Sequence, residues 1–177
     1  MKSKIILIIL LCSFISVHAK EFNPIKDNNT MSIDQKLSCS IAAGLKFNVP
    51  IDVLLAISSI ENGNINTISK NKNNTYDYGV MQINSTYIKD LNKKYNLNLK
   101  YQDFLTGDCF SFDVAAFKIK EHIKNDSGDL LTRIAMYHSK TYKYNERYKK
   151  KLLYFCKYWS DYLNDKGFKL YLYSEIE

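Results

Sequence analysis

Proline and glycine are scarce in this chain, at 2 and 6 residues among 177. That scarcity excludes a collagen-like repeat, and with nearly half of the residues hydrophobic it argues against disorder along most of the length. No CxxC pair occurs and the 3 histidines are scattered, so a structural zinc site is a poor reading of the 4 cysteines. Beyond about residue 20 no run is apolar enough to cross a bilayer. There is no internal repeat and no linker, and the length suits one domain with a real core.

The N-terminus carries the one long apolar run. Lys2 and Lys4 precede IILIILLCSFIS, and Val17-His18-Ala19 places small residues where signal peptidase reads. Residues 1–19 are therefore expected to be a cleaved secretory signal peptide, which places the mature chain in the periplasm or outside the cell. Residues 20–30 are polar and read as a flexible lead-in. The formal net charge of +7 loses Lys2 and Lys4 on cleavage and stays positive. A basic secreted chain suits an anionic partner such as cell-wall polymer. Nucleic acid is not expected: the one basic, aromatic run, YKYNERYKKK at 142–151, reads as a solvated helix face. Three cysteines survive cleavage, Cys39, Cys109 and Cys156. In an oxidising compartment they imply one disulfide and one spare thiol, with three pairings open.

Periodicity predicts a mostly α fold. Ser32 caps a helix with Ile33, Leu37, Ile41 and Leu45 at every fourth position. Pro50 fits the first turn of a second helix, IDVLLAISSIE, apolar on nearly every side, with Gly63 as its stop. Residues 64–83 read as loop with short extended pieces. Asn84-Ser85 opens a third helix. A fourth is predicted over 111–124, a short fifth over DLLTRIAMYHS, and a long sixth from Asn145, with Tyr148, Leu152, Phe155, Trp159 and Leu163 stacked. Gly167 ends it, leaving 168–177 as a tail.

The chemistry gathers in ENGNINTISKNKNNTYDYGVMQINST, residues 61–86. Glu61 ends a buried helix. Apolar neighbours and the negative helix terminus both disfavour its charged form, which suits a carboxyl that must donate a proton near neutral pH. If the segment at 82–84 is extended, Gln82 and Asn84 point the same way and present amide donors and acceptors, the inventory a sugar needs. Met81 and Ile83 then face the core, and Gly79 allows a close backbone approach. Asp77 is the nearest second carboxylate and reads as a turn-ordering residue.

Glu61-Asn-Gly followed by Gly79-Val-Met-Gln-Ile-Asn84, with Val-Pro-x-x-x-Leu-Leu before it and Ala135-Met-Tyr-His-Ser139 after it, resembles the soluble lytic transglycosylase family. The resemblance runs from about Cys39 to Tyr148 and looks nearest to the small single-domain members that serve secretion systems, pili and conjugation machines. It implies a lysozyme-like single domain over 31–167, with a small irregular or β element after the catalytic helix. It implies Glu61 as sole catalytic acid/base, Gly79, Met81, Gln82 and Asn84 as the motif lining a glycan cleft, and Tyr137 as the aromatic residue beside the acid. It also implies a Cys39–Cys109 disulfide, stabilising by about 3–4 kcal/mol, with Cys156 free. Asn62 departs from the family's usual Ser, and His138 from a frequent Asn.

The implied reaction cleaves the bond between N-acetylmuramic acid and N-acetylglucosamine in peptidoglycan, closes a 1,6-anhydro ring, and needs no metal or cofactor. Ordinary glycosidases use two carboxylates; here the substrate's acetamide would replace the second. The alternatives are a muramidase that uses water and a non-catalytic wall-binding assembly protein.

Overall fold

The computed structural model describes residues 30–168. The leader, nearly all of the lead-in and most of the tail lie outside the described residues. Six α-helices and one small antiparallel sheet follow in the order α1 (Ile33–Phe47), α2 (Ile51–Glu61), β1 (Ile68–Lys70), β2 (Tyr76–Tyr78), β3 (Ile83–Asn84), α3 (Ser85–Tyr95), α4 (Phe110–Asn125), α5 (Leu130–Ala135) and α6 (Tyr142–Asp165). A 3-10 turn, Tyr101–Phe104, leads into α4. This is a mostly α, lysozyme-like arrangement.

The core is organised around α2. Val53, Leu54, Leu55, Ala56 and Ile57 are all fully buried, each larger side chain contributing about 1.5–3 kcal/mol. Helix α6 lies along it, with Trp159 Nε1 donating to Ser59 Oγ at 2.9 Å, and α1 and α4 also pack against it. Packing on so many sides explains why this helix carries almost no polar face.

Helix α1 starts where the sequence predicts. Ser32 forms a capping box with Gln35, which satisfies donors the first turn cannot satisfy internally. Its buried face differs from the expected every-fourth stripe. Residues four apart drift by about 40° around a helix of 3.6 residues per turn, so Ile33 and Leu45 are exposed while Leu37, Cys39, Ser40, Ala43 and Gly44 are buried. Pro50 sits at the N-cap of α2 rather than inside its first turn. Helix α6 begins at Tyr142, three residues before Asn145. Asn145 is instead buried, donating to the carbonyls of Thr132 and Ser139 and so tying α6 to α5.

Glycine scarcity reappears as a backbone habit. The left-handed residues that end α1, α2 and α3 are Asn48, Asn62 and Asn96. Asn is the non-glycine residue that best tolerates this conformation. Asn62, not Gly63, therefore stops the helix carrying Glu61, which accounts physically for Asn at that position. Gly63 serves another purpose. A Cβ there would lie 2.1 Å from the Gly79 carbonyl oxygen and 2.9 Å from Gln82 Nε2, so only glycine lets the end of α2 rest on the 79–82 turn.

Cys39 on α1 and Cys109 just before α4 are joined in a disulfide, with Cα atoms 4.9 Å apart across a sequence separation of 70. Cys156 is free and buried on α6. Among the described residues no helix is long and apolar enough to cross a membrane.

Candidate active site

The three-stranded sheet supplies one wall of the site. β1 pairs with β2, and β2 with β3, placing Asp77 opposite Asn84. The two side chains also meet: Asn84 Nδ2 donates to Asp77 Oδ1 at 2.7 Å. Asn71 Nδ2 donates to the other oxygen, Oδ2, at 2.8 Å. Asp77 thus links the β1–β2 hairpin to β3. The oxygen of the Asn84 side chain accepts from Thr86 N and caps α3. Both ends of that amide are used within the protein.

Between the strands comes the turn over residues 79–82. Gly79 has a left-handed backbone, and a Cβ on it would lie 1.8 Å from the Phe104 carbonyl oxygen. The close approach that glycine permits is therefore to the protein's own 3-10 turn. Gln82 corrects the extended expectation: its φ is 47°, so it does not share a strand face with Asn84. Its Nε2 donates back to the Gly79 carbonyl at 2.8 Å. Met81 is fully buried, and its carbonyl accepts a 2.6 Å hydrogen bond from the Tyr137 hydroxyl. Gly79 and Met81 build the turn beneath the cleft, while Gln82, Asn84 and Tyr137 line it.

Glu61, at the end of α2, lines this cleft of about 780 Å³, with Asn71, Asp77 and His138 among its neighbours. A second cavity of about 330 Å³ shares Glu61, Tyr144 and His138 with it. The acid therefore borders both spaces. Tyr148, on α6, donates its hydroxyl to Glu61 Oε1 at 2.6 Å. The His138 ring stacks on Tyr148 at 4.8 Å and nearly parallel, which fixes the phenol from its other face.

Burial raises the Glu61 carboxyl above the ordinary carboxylate range, against the opposing pull of the Tyr148 hydrogen bond and of Lys118; the negative charge of Asp77 adds to the rise. The balance keeps a proton on Glu61 at a higher pH than an exposed Glu would hold one. Burial brings Lys118 down to about 8, with Glu61 and Asp77 acting to raise it. Its amine donates to the Tyr137 carbonyl at 2.8 Å and sits over the Tyr137 and Tyr87 rings. Burial also lowers His138, and the nearby Lys151 and Lys118 charges lower it further, so its neutral form is favoured.

Glu61, Gln82, Asn84 and Tyr137, singled out in the sequence, all line the larger cleft. Sequence reasoning misses the group that holds the acid. Tyr137 reaches Met81 and not the Glu61 carboxyl; Tyr148, expected only as part of the α6 core stripe, makes that contact. Lys118 is missed too, although a Lys beside the apolar positions 115, 116 and 119 of α4 was a visible signal. Among the described residues no cluster of His, Cys, Asp and Glu is suited to a metal ion.

A helix-borne acid at the edge of a small sheet, inside a cleft framed by α-helices, is the arrangement of a mostly α, lysozyme-like domain. The chain belongs to the transglycosylase SLT domain family, whose model matches residues 38–152. It is 31% identical over 87 residues to Protein IpgF of Shigella flexneri, covering 49% of this chain and 55% of that protein. Protein IpgF of Shigella sonnei matches to the same extent. The chain thus spans about half the length of the curated relatives it matches.

Proposed function

We propose that the protein is a peptidoglycan lytic transglycosylase with Glu61 as its single acid/base. The observation that carries this reading is the state of Glu61: part-buried, biased towards the protonated form, and oriented by Tyr148 at the edge of an open cleft. A protonated, positioned carboxyl is what departure of a sugar oxygen requires. Both oxygens of Asp77 are occupied by amides, which fits a scaffold better than a nucleophile.

In the proposed reaction Glu61 gives its proton to the oxygen linking N-acetylmuramic acid to N-acetylglucosamine. The glycosidic bond breaks, and the muramyl acetamide stabilises the cation at C1. Glu61, now ionised, takes the proton of the 6-hydroxyl as that oxygen bonds to C1. The acid is regenerated, an anhydro ring closes, and no water is consumed. The Tyr148 hydroxyl stabilises the carboxylate during the interval in which it is charged. Gln82 and Tyr137 are assigned to the sugar-facing wall, and Asn84 to holding that wall in shape. The likeness to small single-domain members supports a role in opening the wall locally for an envelope-spanning secretion, pilus or conjugation apparatus, in the periplasm or outside the cell.

The test compares wild type with Glu61→Gln on purified peptidoglycan, with products read by mass spectrometry. Wild type is expected to release muropeptides with anhydro ends, and the variant to lose more than about a hundredfold in rate. Reducing ends in place of anhydro ends would identify a water-using muramidase. Equal release by both proteins would remove Glu61 from the chemistry.

A further inference from the structure

The two spaces flanking Glu61 differ in charge. The larger cleft has more carboxylates than lysines: Glu61, Asp77, Asp90 and Glu121 line it along with Lys72, Lys118 and Lys140, and Lys140 is paired with Asp126. The smaller cavity has Arg147 and Lys151 in its wall, and Glu61 is its one carboxylate. Arg147 and Lys151 lie one turn apart on α6, so their side chains reach towards the same patch. Neither takes part in an ion pair among the described residues. Other α6 lysines do: Lys149 pairs with Asp129 and Glu146, and Lys157 with Asp161.

One of the smaller cavity's two cations, Lys151, works against the proposed acid. The positive charge of Lys151 favours the ionised form of Glu61, whereas the reaction begins from the protonated form. A bound anion would cancel that effect at the moment the substrate is seated.

We propose that Arg147 and Lys151, in the cavity that adjoins the main cleft at Glu61, form a subsite for carboxylates of the peptide stem on a muramyl residue. The proposal rests on the glycan reading above and adds the substituent that the enzyme grips. A stem hangs from the sugar ring, so a strand lying across Glu61 would carry its stems to the sides of the cleft. Arg presents a planar fork that matches a carboxylate, and Lys151 adds a second positive charge one turn away. A volume of about 330 Å³ is of the size that ligand sites occupy. The subsite would favour strands that still bear stems, and occupying it would help to keep the proton on Glu61.

The test measures binding to insoluble cell wall by sedimentation, in a Glu61→Gln background so that the wall stays intact. One wall sample is native; in the other the stem carboxylates have been converted to amides with carbodiimide and ammonia. The lactyl group is in amide linkage to the stem in both samples, so the comparison reports on the stem. Native wall is expected to bind about fivefold more tightly, the order for two exposed charge contacts. Arg147→Ala/Lys151→Ala should abolish that preference. Lys89→Ala/Lys93→Ala, which removes the same charge from the exposed side of α3, should retain it. The idea is overturned if the parent binds both walls equally, if the Arg147/Lys151 variant keeps the preference, or if the α3 control loses it as fully. Equal binding to both walls leaves the glycan reading intact. A protein that sediments with neither wall contradicts both. Anhydro ends in the wild-type digest test the chemistry separately.

Discussion

Replacing Tyr148 by Phe removes a single oxygen, the one that donates to Glu61 at 2.6 Å. The ring, its stack with His138 and its place in the core are retained. A hydrogen bond to a charged group contributes about 1.5–3 kcal/mol, and here it favours the ionised carboxyl. Its loss should lower the ratio of ionised to protonated Glu61 at any fixed pH by roughly ten- to a hundredfold. The alkaline limb of the pH–rate profile, where the acid loses its proton, should move upward by the logarithm of that ratio. The plateau rate should fall, because the carboxylate formed in mid-reaction loses its donor. The assay is release of anhydro-muropeptides against pH, with direct titration of the Glu61 carboxyl by carbon-13 NMR. Stability gives an independent sign. Burial raises Glu61 in the folded protein, so its contribution is full at low pH and declines as pH rises through the folded value. Without the Tyr148 hydroxyl that decline steepens, and the fall in melting temperature should be greater near about pH 8 than near about pH 5. An unmoved or downward-moving limb would show that Tyr148 does not govern the acid.

Three further outcomes follow from the geometry. Reducing the Cys39–Cys109 bridge frees a span of 70 residues and should cost about 4 kcal/mol, read as a fall of about 8–16 °C in melting temperature by calorimetry; no change would mean that the denatured chain is already constrained there. Gly63→Ala forces a Cβ towards the Gly79 carbonyl and should cost about 1–3 kcal/mol, with activity falling further than stability because Glu61 moves with the end of α2; denaturant unfolding and rate measurements on one sample separate the two effects. Lys118→Met removes a positive charge that favours ionised Glu61 and should also raise the alkaline limb, while leaving the Tyr148 hydrogen bond in place; a lowered limb would contradict this.

The parts of the site visible in the sequence are those set by local pattern. Helix α2 is legible because seven of its eleven residues are apolar, five of them in one run from Val53 to Ile57, which leaves few other ways to be buried, and its last residue is therefore placed as well. The cap at Ser32 is legible for the same local reason. The contact between Tyr148 and Glu61 joins residues 87 apart, and nothing in the periodicity of α6 separates a tyrosine whose hydroxyl has a task from one that only packs. An extended segment at 82–84 would put Gln82 and Asn84 on one face; the turn that begins at Gly79 instead puts Gln82 at positive φ. The usual rule for helix ends assigns the stop of α2 to Gly63. In this chain Asn takes that conformation, and the glycine is spent on a close approach that no local signal reports.

Ending helices on Asn also has a consequence for the unfolded chain. Glycine is the residue with the most backbone freedom to lose on folding, and replacing it with a side-chain-bearing residue shrinks the denatured ensemble wherever the native conformation is tolerated. Asn48, Asn62 and Asn96 each hold a left-handed position where glycine is the common occupant. The chain therefore gives up less configurational entropy when these three helices terminate, at the cost of a mild steric strain. At Asn62 that narrowing applies to the residue directly after Glu61, so the conformations open to the backbone beside the acid are already fewer before the fold has formed.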